Sequence, residues 1–197
     1  MTGARKEPRS FYARDATVVA RELLGHVLVR QDGDTVLRGR IVETEAYLGV
    51  DDPGSHAYHG RTNRTHVMFG EVGHLYVYFT YGMHFCMNVV TGEQGVASAV
   101  LLRALEPLAG IDRMQARRGM RPVDQLCNGP AKLCQAFRIT HDENGVDLET
   151  GGIWIDDEGK YPGEIATSTR VGIRAGRELQ YRYYVSENPH VSPGKPS

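Results

Sequence analysis

Residues 41–49 read I-V-E-T-E-A-Y-L-G, with Val42, Thr44, Ala46 and Leu48 alternating against Glu43, Glu45 and Tyr47. Period-two alternation predicts a strand, whose successive side chains leave on opposite faces. One face of it needs an apolar backing, and the other gathers two carboxylates and an aromatic ring. Like charges two residues apart repel on a strand, so one of them needs stabilisation that the strand alone does not supply. By default such carboxylates are a solvated outer face. A second stretch changes the balance. Residues 75–88, L-Y-V-Y-F-T-Y-G-M-H-F-C-M-N, carry Tyr76, Tyr78 and Tyr81 up to a glycine turn.

A chain of 197 residues, 41% hydrophobic and 24% charged, has the make-up of one globular domain. No apolar run approaches the roughly 20 residues that span a bilayer, and the first ten residues lack the apolar core of an export signal. Three cysteines, Cys86, Cys127 and Cys134, without C-x-x-C spacing suit a reducing cytoplasm. A net charge of −1 does not advertise a nucleic-acid binder. Its distribution says more. Residues 103–138 hold Arg103, Arg113, Arg117, Arg118, Arg121, Lys132 and Arg138 against three acids, whereas 141–159 are acidic without a base. Such segregation allows one basic and one acidic face.

In chain order, residues 1–10 read as a loose tail. Asp15 caps a helix with Ala16, Val19, Ala20 and Leu23 at helical spacing, stopped by Gly25. Strands are expected at 26–30 and 35–47 around a turn at Gly33, then at 74–79, 84–91, 97–104, 152–155 and 181–185. Residues 111–118 and 130–137 read as helices. The second begins at Asn128-Gly129-Pro130, where free backbone N–H groups and Lys132 suit a phosphate. Residues 55–73 form a loop rich in His, Arg, Gly and Asn, long enough to suggest function. Residues 191–197 read as an extended tail.

His56, His59, His66, His74 and His84 lie close in sequence, with Cys86 behind them, and raise the question of zinc. Their spacing argues against it: there is no H-E-x-x-H and no helical i, i+4 histidine pair. Nucleophile-elbow, Walker and dinucleotide-binding motifs are absent as well. The tyrosines admit two readings, a cross-strand aromatic cluster in the core or a platform for stacking and wedging.

Five blocks, R-I-V-E-T-E-A-Y-L-G, H-A-Y-H-G-R-T-N-R, L-Y-V-Y-F-T-Y-G-M-H-F-C-M-N, V-L-L-R-A-L-E-P-L and C-N-G-P-A-K-L-C-Q-A-F, in this order, resemble the alkyladenine (methylpurine) DNA glycosylase family. The resemblance implies an enzyme that flips alkylated or deaminated purines out of duplex DNA and hydrolyses the N-glycosidic bond. It implies that Glu45 is the general base and that Arg103 stands beside the attacking water. Tyr47, His56 and Tyr78 would sandwich the base, Asn88 would limit entry of normal guanine, and Tyr81 would fill the gap left in the duplex. DNA contacts carry over to Arg61 and Arg64, although G-R-T-N-R-T replaces the usual proline-containing version there. His84 stands where a tyrosine is common. Glu43 is read as structural or as a tuner of its neighbour's pKa. With Lys132 assigned to a phosphate, no lysine is left for a Schiff base, which points to a monofunctional glycosylase.

The expected fold is α+β: one compact domain over 11–190, with a curved, mostly antiparallel sheet, surrounding helices and a protruding β-hairpin. The expected partner is double-stranded DNA containing damaged purines, met by a cytoplasmic monomer, nucleoid-associated if bacterial, that needs no cofactor, metal or membrane. Two alternatives remain: a non-catalytic minor-groove damage binder, and a metal-dependent hydrolase built on the histidines.

Overall fold

The alternating segment folds as a strand over Thr35–Tyr47, in a computed structural model that describes residues 5–80, 82–158 and 163–194. The chain runs β1 (Arg5–Lys6), α1 (Arg9–Tyr12), α2 (Ala16–Glu22), β2 (Val27–Asp32), β3 (Thr35–Tyr47), β4 (Leu75–Thr80), β5 (His84–Thr91) and β6 (Ser98–Ala109). It continues through α3 (Ile111–Arg118), α4 (Pro130–Phe137), β7 (Ile153–Asp157), β8 (Ile165–Ser168) and β9 (Arg182–Val185). Every described pairing is antiparallel, in the order β1-β7-β2-β3-β6-β5-β4, with β8 and β9 attached to β3. The architecture is the expected α+β.

β3 is longer than any one partner and is shared along its length. Its first half pairs with β2 across the turn at Gly33, whose φ of +61° suits a residue without Cβ. Its second half, Glu43 to Glu45, pairs with β9, while β6 runs along the other edge. Side chains of β4, β5 and β6 alternate between two apolar layers. Leu75, Val77, Met87, Val89, Val100 and Leu102 face the main core beneath α2 and α4. Tyr76, Val90 and Ala99 face a smaller cluster with Ala57 and Met68, contributed by the long loop. That loop therefore roofs the second face of the sheet. Asp15 caps α2 by accepting from the Thr17 N–H, and Pro130 opens α4 with its φ already set for a helix.

Several expectations need correction. Residues 5–10 are tied down: Arg5 and Lys6 pair with Asp157 and Asp156, and the Arg9 guanidinium meets Asp147 at 2.8 Å. The extended tail from 191 is anchored too, since Ser192 is buried and bonds Glu43 on β3. β6 continues to Ala109, past the expected end at 104, because its second half still finds β3 as partner. β8 was not anticipated. The basic stretch 103–138 is not one face. Arg103 is buried, and Arg113 and Arg117 both reach Asp32. The acidic stretch is likewise spent on partners, Glu143 on Arg30 and Asp147 on Arg9.

Candidate active site

Glu43 and Glu45 share the face of β3 opposite the main core, and both are 0% exposed. Two buried carboxylates stand there only because cations and donors meet them. The Glu43 Oε1 accepts from Arg103 Nε at 3.0 Å, Arg182 Nε at 2.7 Å and the Ser192 hydroxyl at 2.9 Å, and its Oε2 accepts from the Ser192 N–H at 2.7 Å. Glu45 Oε1 accepts from the Val171 N–H at 2.7 Å and lies 3.4 Å from Arg103 Nη1, while its Oε2 accepts from the Tyr47 hydroxyl at 2.8 Å. The pairing of β3 with β6 shifts register between Ile41 and Thr44, and Arg103 falls opposite that irregularity. Such irregularities re-aim side chains, here a guanidinium toward two carboxylates.

Burial pushes the Glu45 carboxyl above its ordinary pKa, and the Glu43 charge adds to this. Arg103, the Val171 N–H and the Tyr47 hydroxyl pull the other way. Burial opposes the charge on Arg103, yet Glu45 and Glu43 outweigh it and hold its pKa above the usual value. Glu45 is thus a carboxyl under tension, desolvated but supplied with donors to its ionised form.

Three of the groups that hold it, Tyr47, Arg103 and Val171, line a cavity of about 310 Å³, while the buried Glu45 itself is not part of that lining. Tyr47, His56, Tyr78, Asn88 and Arg103 all line it, brought together from β3, the long loop, β4, β5 and β6. His56 meets the Tyr78 ring edge-on at 4.4 Å between centroids, and its Nδ1 lies 3.2 Å from the Tyr76 hydroxyl. Although His56 is exposed overall, the burial it does have and the nearby Arg64 lower its pKa, to about 4. Asn88 is buried, with Nδ2 donating to the Tyr76 carbonyl at 3.1 Å. A partly open, aromatic-walled space with a few fixed polar groups suits a flat heterocycle.

The sequence agrees with this picture. Residues 10–189 match the model of the methylpurine-DNA glycosylase family. The chain belongs to that family. Among curated relatives, a protein of Carboxydothermus hydrogenoformans is 52% identical over 94% of this chain and 97% of its own length. One of Chlorobaculum parvum is 49% identical over 92% of this chain and 88% of its own. One of Methanoculleus marisnigri is 47% identical over 94% and 97%. All three are provisionally named 3-methyladenine DNA glycosylases.

In this glycosylase-family chain the other anticipated residues fall around the cavity mouth or away from it. The Arg64 guanidinium lies over the Tyr78 ring at 5.1 Å and reaches His56 Nε2 at 3.5 Å. Arg61 sits farther out, on a shallow exposed surface with Thr62, Asn63 and His66. Lys132 leaves the first turn of α4 and donates to Asn128 Oδ1 at 2.8 Å, and its neighbour Pro130 lines the cavity. Burial, then Arg118 and Arg121, lower the Lys132 pKa, which marks a local cluster of positive charge. Tyr81 lies outside the described residues. The hairpin that carries it exposes Phe79 and Met83 on either side. The five histidines do not converge: His66 bonds the Asn63 carbonyl, His74 meets Arg9 and His84 is exposed. Among the described residues, the one set of His and carboxylate atoms close enough for a metal is Glu7, His26 and Asp157, none of them from the dense histidine stretch.

Sequence reasoning missed Val171, Arg182 and Ser192, which hold the two glutamates, and the pair Arg170–Asp52. Arg170 is 0% exposed, bonds Asp52 Oδ1 at 2.7 Å, and lies over the Tyr47 ring at 4.6 Å. Each comes from a segment far along the chain, and no local spacing marks it.

Proposed function

We propose that this protein is a monofunctional DNA glycosylase that flips an alkylated or deaminated purine into the cavity and hydrolyses its N-glycosidic bond. The observation that carries the reading is the convergence of Tyr47, His56, Tyr78, Asn88 and Arg103 around one cavity, with Tyr47 and Arg103 also holding a buried Glu45. In this reading Tyr47, His56 and Tyr78 hold the flipped base, and Asn88 disfavours a normal guanine. The C1′–N bond breaks with its electron pair leaving on the purine, through an oxocarbenium-like state. Water beside Glu45 and Arg103 adds to C1′, and Glu45 takes its proton. The carboxylate also stabilises the positive charge at C1′. The products are a free purine and an abasic site. Arg61, Arg64 and Lys132 meet phosphates, and Tyr81 occupies the vacated stack. The protein acts as a monomer.

The test is incubation with duplexes that each carry one lesion, followed by alkaline cleavage of any abasic site. Wild type cuts at least one methylated-purine duplex. Glu45→Gln keeps lesion binding and loses single-turnover excision by orders of magnitude. Wild-type rates in that variant would remove Glu45 from the chemistry.

A further inference from the structure

The last described residues cross the floor of the candidate site. Val191 N–H donates to the Asn188 carbonyl at 3.2 Å, which turns the chain back toward the sheet. Ser192 then places both its N–H and its hydroxyl on Glu43. At Gly194 the backbone runs so close to the site that an added Cβ would stand 2.7 Å from Val171 Cγ1 and 3.4 Å from Arg103 Nη2. Val171 and Arg103 are the two groups from other elements that hold Glu45 Oε1.

Each nitrogen of the Arg103 guanidinium has a different partner. Nε donates to Glu43, Nη1 faces Glu45 and Nη2 donates to the Ser192 hydroxyl at 3.3 Å. That hydroxyl in turn donates to the same Glu43 oxygen that Arg103 and Arg182 bond. Ser192 therefore fixes the point at which Arg103 is divided between the two carboxylates.

We propose that Ser192, acting through Glu43, is a positioning residue that sets how much of the Arg103 charge reaches Glu45. The C-terminal segment is then a strap that tunes the general base from behind. This rests on the role given above to Glu45.

The charged and titratable groups facing Glu45 come from several elements. From β3 there are Glu43 and Tyr47, and from β4, β5, β6 and β9 come Tyr78, Cys86, Arg103 and Arg182. Arg170 faces it from the segment beyond β8. Only Glu43 and Arg103 are held by Ser192, so a change at Ser192 is transmitted through those two. Without the hydroxyl, Glu43 leans harder on Arg103 and draws it away from Glu45. The Glu45 pKa then rises, and a reaction that needs its ionised form loses activity first on the acid side. Removing the Glu43 charge acts oppositely, since a like charge is lost and Arg103 is left to Glu45.

The experiment follows the Glu45 carboxyl carbon by NMR across pH in DNA-free protein, for wild type, Ser192→Ala, Ser192→Thr and Glu43→Gln. Single-turnover excision is measured on a duplex carrying one methylated purine. Ser192→Ala keeps the backbone bond to Glu43, so it retains the fold. Its Glu45 midpoint rises and the acid limb of the single-turnover rate moves up in pH by the same amount, with lesion binding unchanged. Ser192→Thr, which keeps the hydroxyl, restores wild-type behaviour. Glu43→Gln lowers the Glu45 midpoint by about one pH unit or more. A Ser192→Ala midpoint equal to wild type, with only a lower melting temperature, would overturn the proposal and leave a merely structural strap, whatever Glu43→Gln does. If wild type excised no lesion while the midpoints moved as stated, the positioning role would stand and the glycosylase reading would fall.

Discussion

Tyr47 illustrates how one residue of the candidate site depends on a charge contributed from far along the chain. Its hydroxyl is committed to Glu45, and its ring rests on the Arg170 guanidinium. Arg170 has no exposure to water, and Asp52, 1% exposed, is its bonded counter-charge. Removing one partner of such a pair leaves an uncompensated buried ion, which typically costs about 3–5 kcal/mol. Asp52→Ala should therefore lower the free energy of unfolding by roughly that amount, read from the urea midpoint. Asp52→Ala combined with Arg170→Met should recover most of the loss, because the orphaned charge has gone. If the double variant is as unstable as the sum of the singles, Arg170 contributes packing under Tyr47 and not a paired charge.

At the scale of elements, what repeats locally was readable and what closes over long distance was not. β3, β5, α3 and α4 occur at the bounds their patterns suggested, since alternation, helical spacing and a Gly-Pro start are written in neighbouring residues. β1 and β8 are too short to carry a period, and the docking of Ser192 depends on a contact 149 residues away. The same division holds in the candidate site. Glu45 and Tyr47 were visible as a pattern on one strand, whereas the donors that hold Glu45 arrive from elsewhere. The hairpin of β4 and β5 carries the next expectation. Phe79 and Met83 are 50% and 71% exposed at its end, a display of apolar surface that water disfavours and a DNA stack would accept. Tyr81 belongs to this end by sequence. Flipping costs a few kcal/mol of unstacking, and an aromatic on the remaining bases returns about 1–3 kcal/mol per base. Tyr81→Ser should weaken lesion-specific binding and pull a neighbouring 2-aminopurine reporter back into the stack, while the rate from the flipped state stays nearly unchanged. Full flipping with slow cleavage would instead assign Tyr81 to the cavity.

For the whole molecule, a net charge of −1 hides a face on which positive charge is left over. Internal ion pairs consume much of the rest: Arg103 on the two glutamates, Arg113 and Arg117 on Asp32, Arg170 on Asp52 and Arg182 on Glu43. Among the described residues, no carboxylate lies within ion-pair distance of Arg64, Arg118, Arg121, Lys132 or Arg138. Arg64 and Lys132 lie near the cavity mouth, and Lys132 in turn is close enough to Arg118 and Arg121 to feel their charge. Arg64 overlies Tyr78, Lys132 lies beside Pro130 at the cavity rim, and Arg138 borders a groove with Met83 and His84 of the hairpin. A duplex laid over the mouth would meet them together, and each phosphate neutralised releases condensed counterions. Log affinity for undamaged duplex should then fall with log salt by about 0.9 per phosphate contact. Lys132→Ala should flatten that slope by about one contact. Arg113→Ala, which removes a charge already matched by Asp32, should leave the slope as it is. Equal slopes for wild type and Lys132→Ala would move the DNA path off α4, because a charge that meets a phosphate cannot be removed without retaining its counterion.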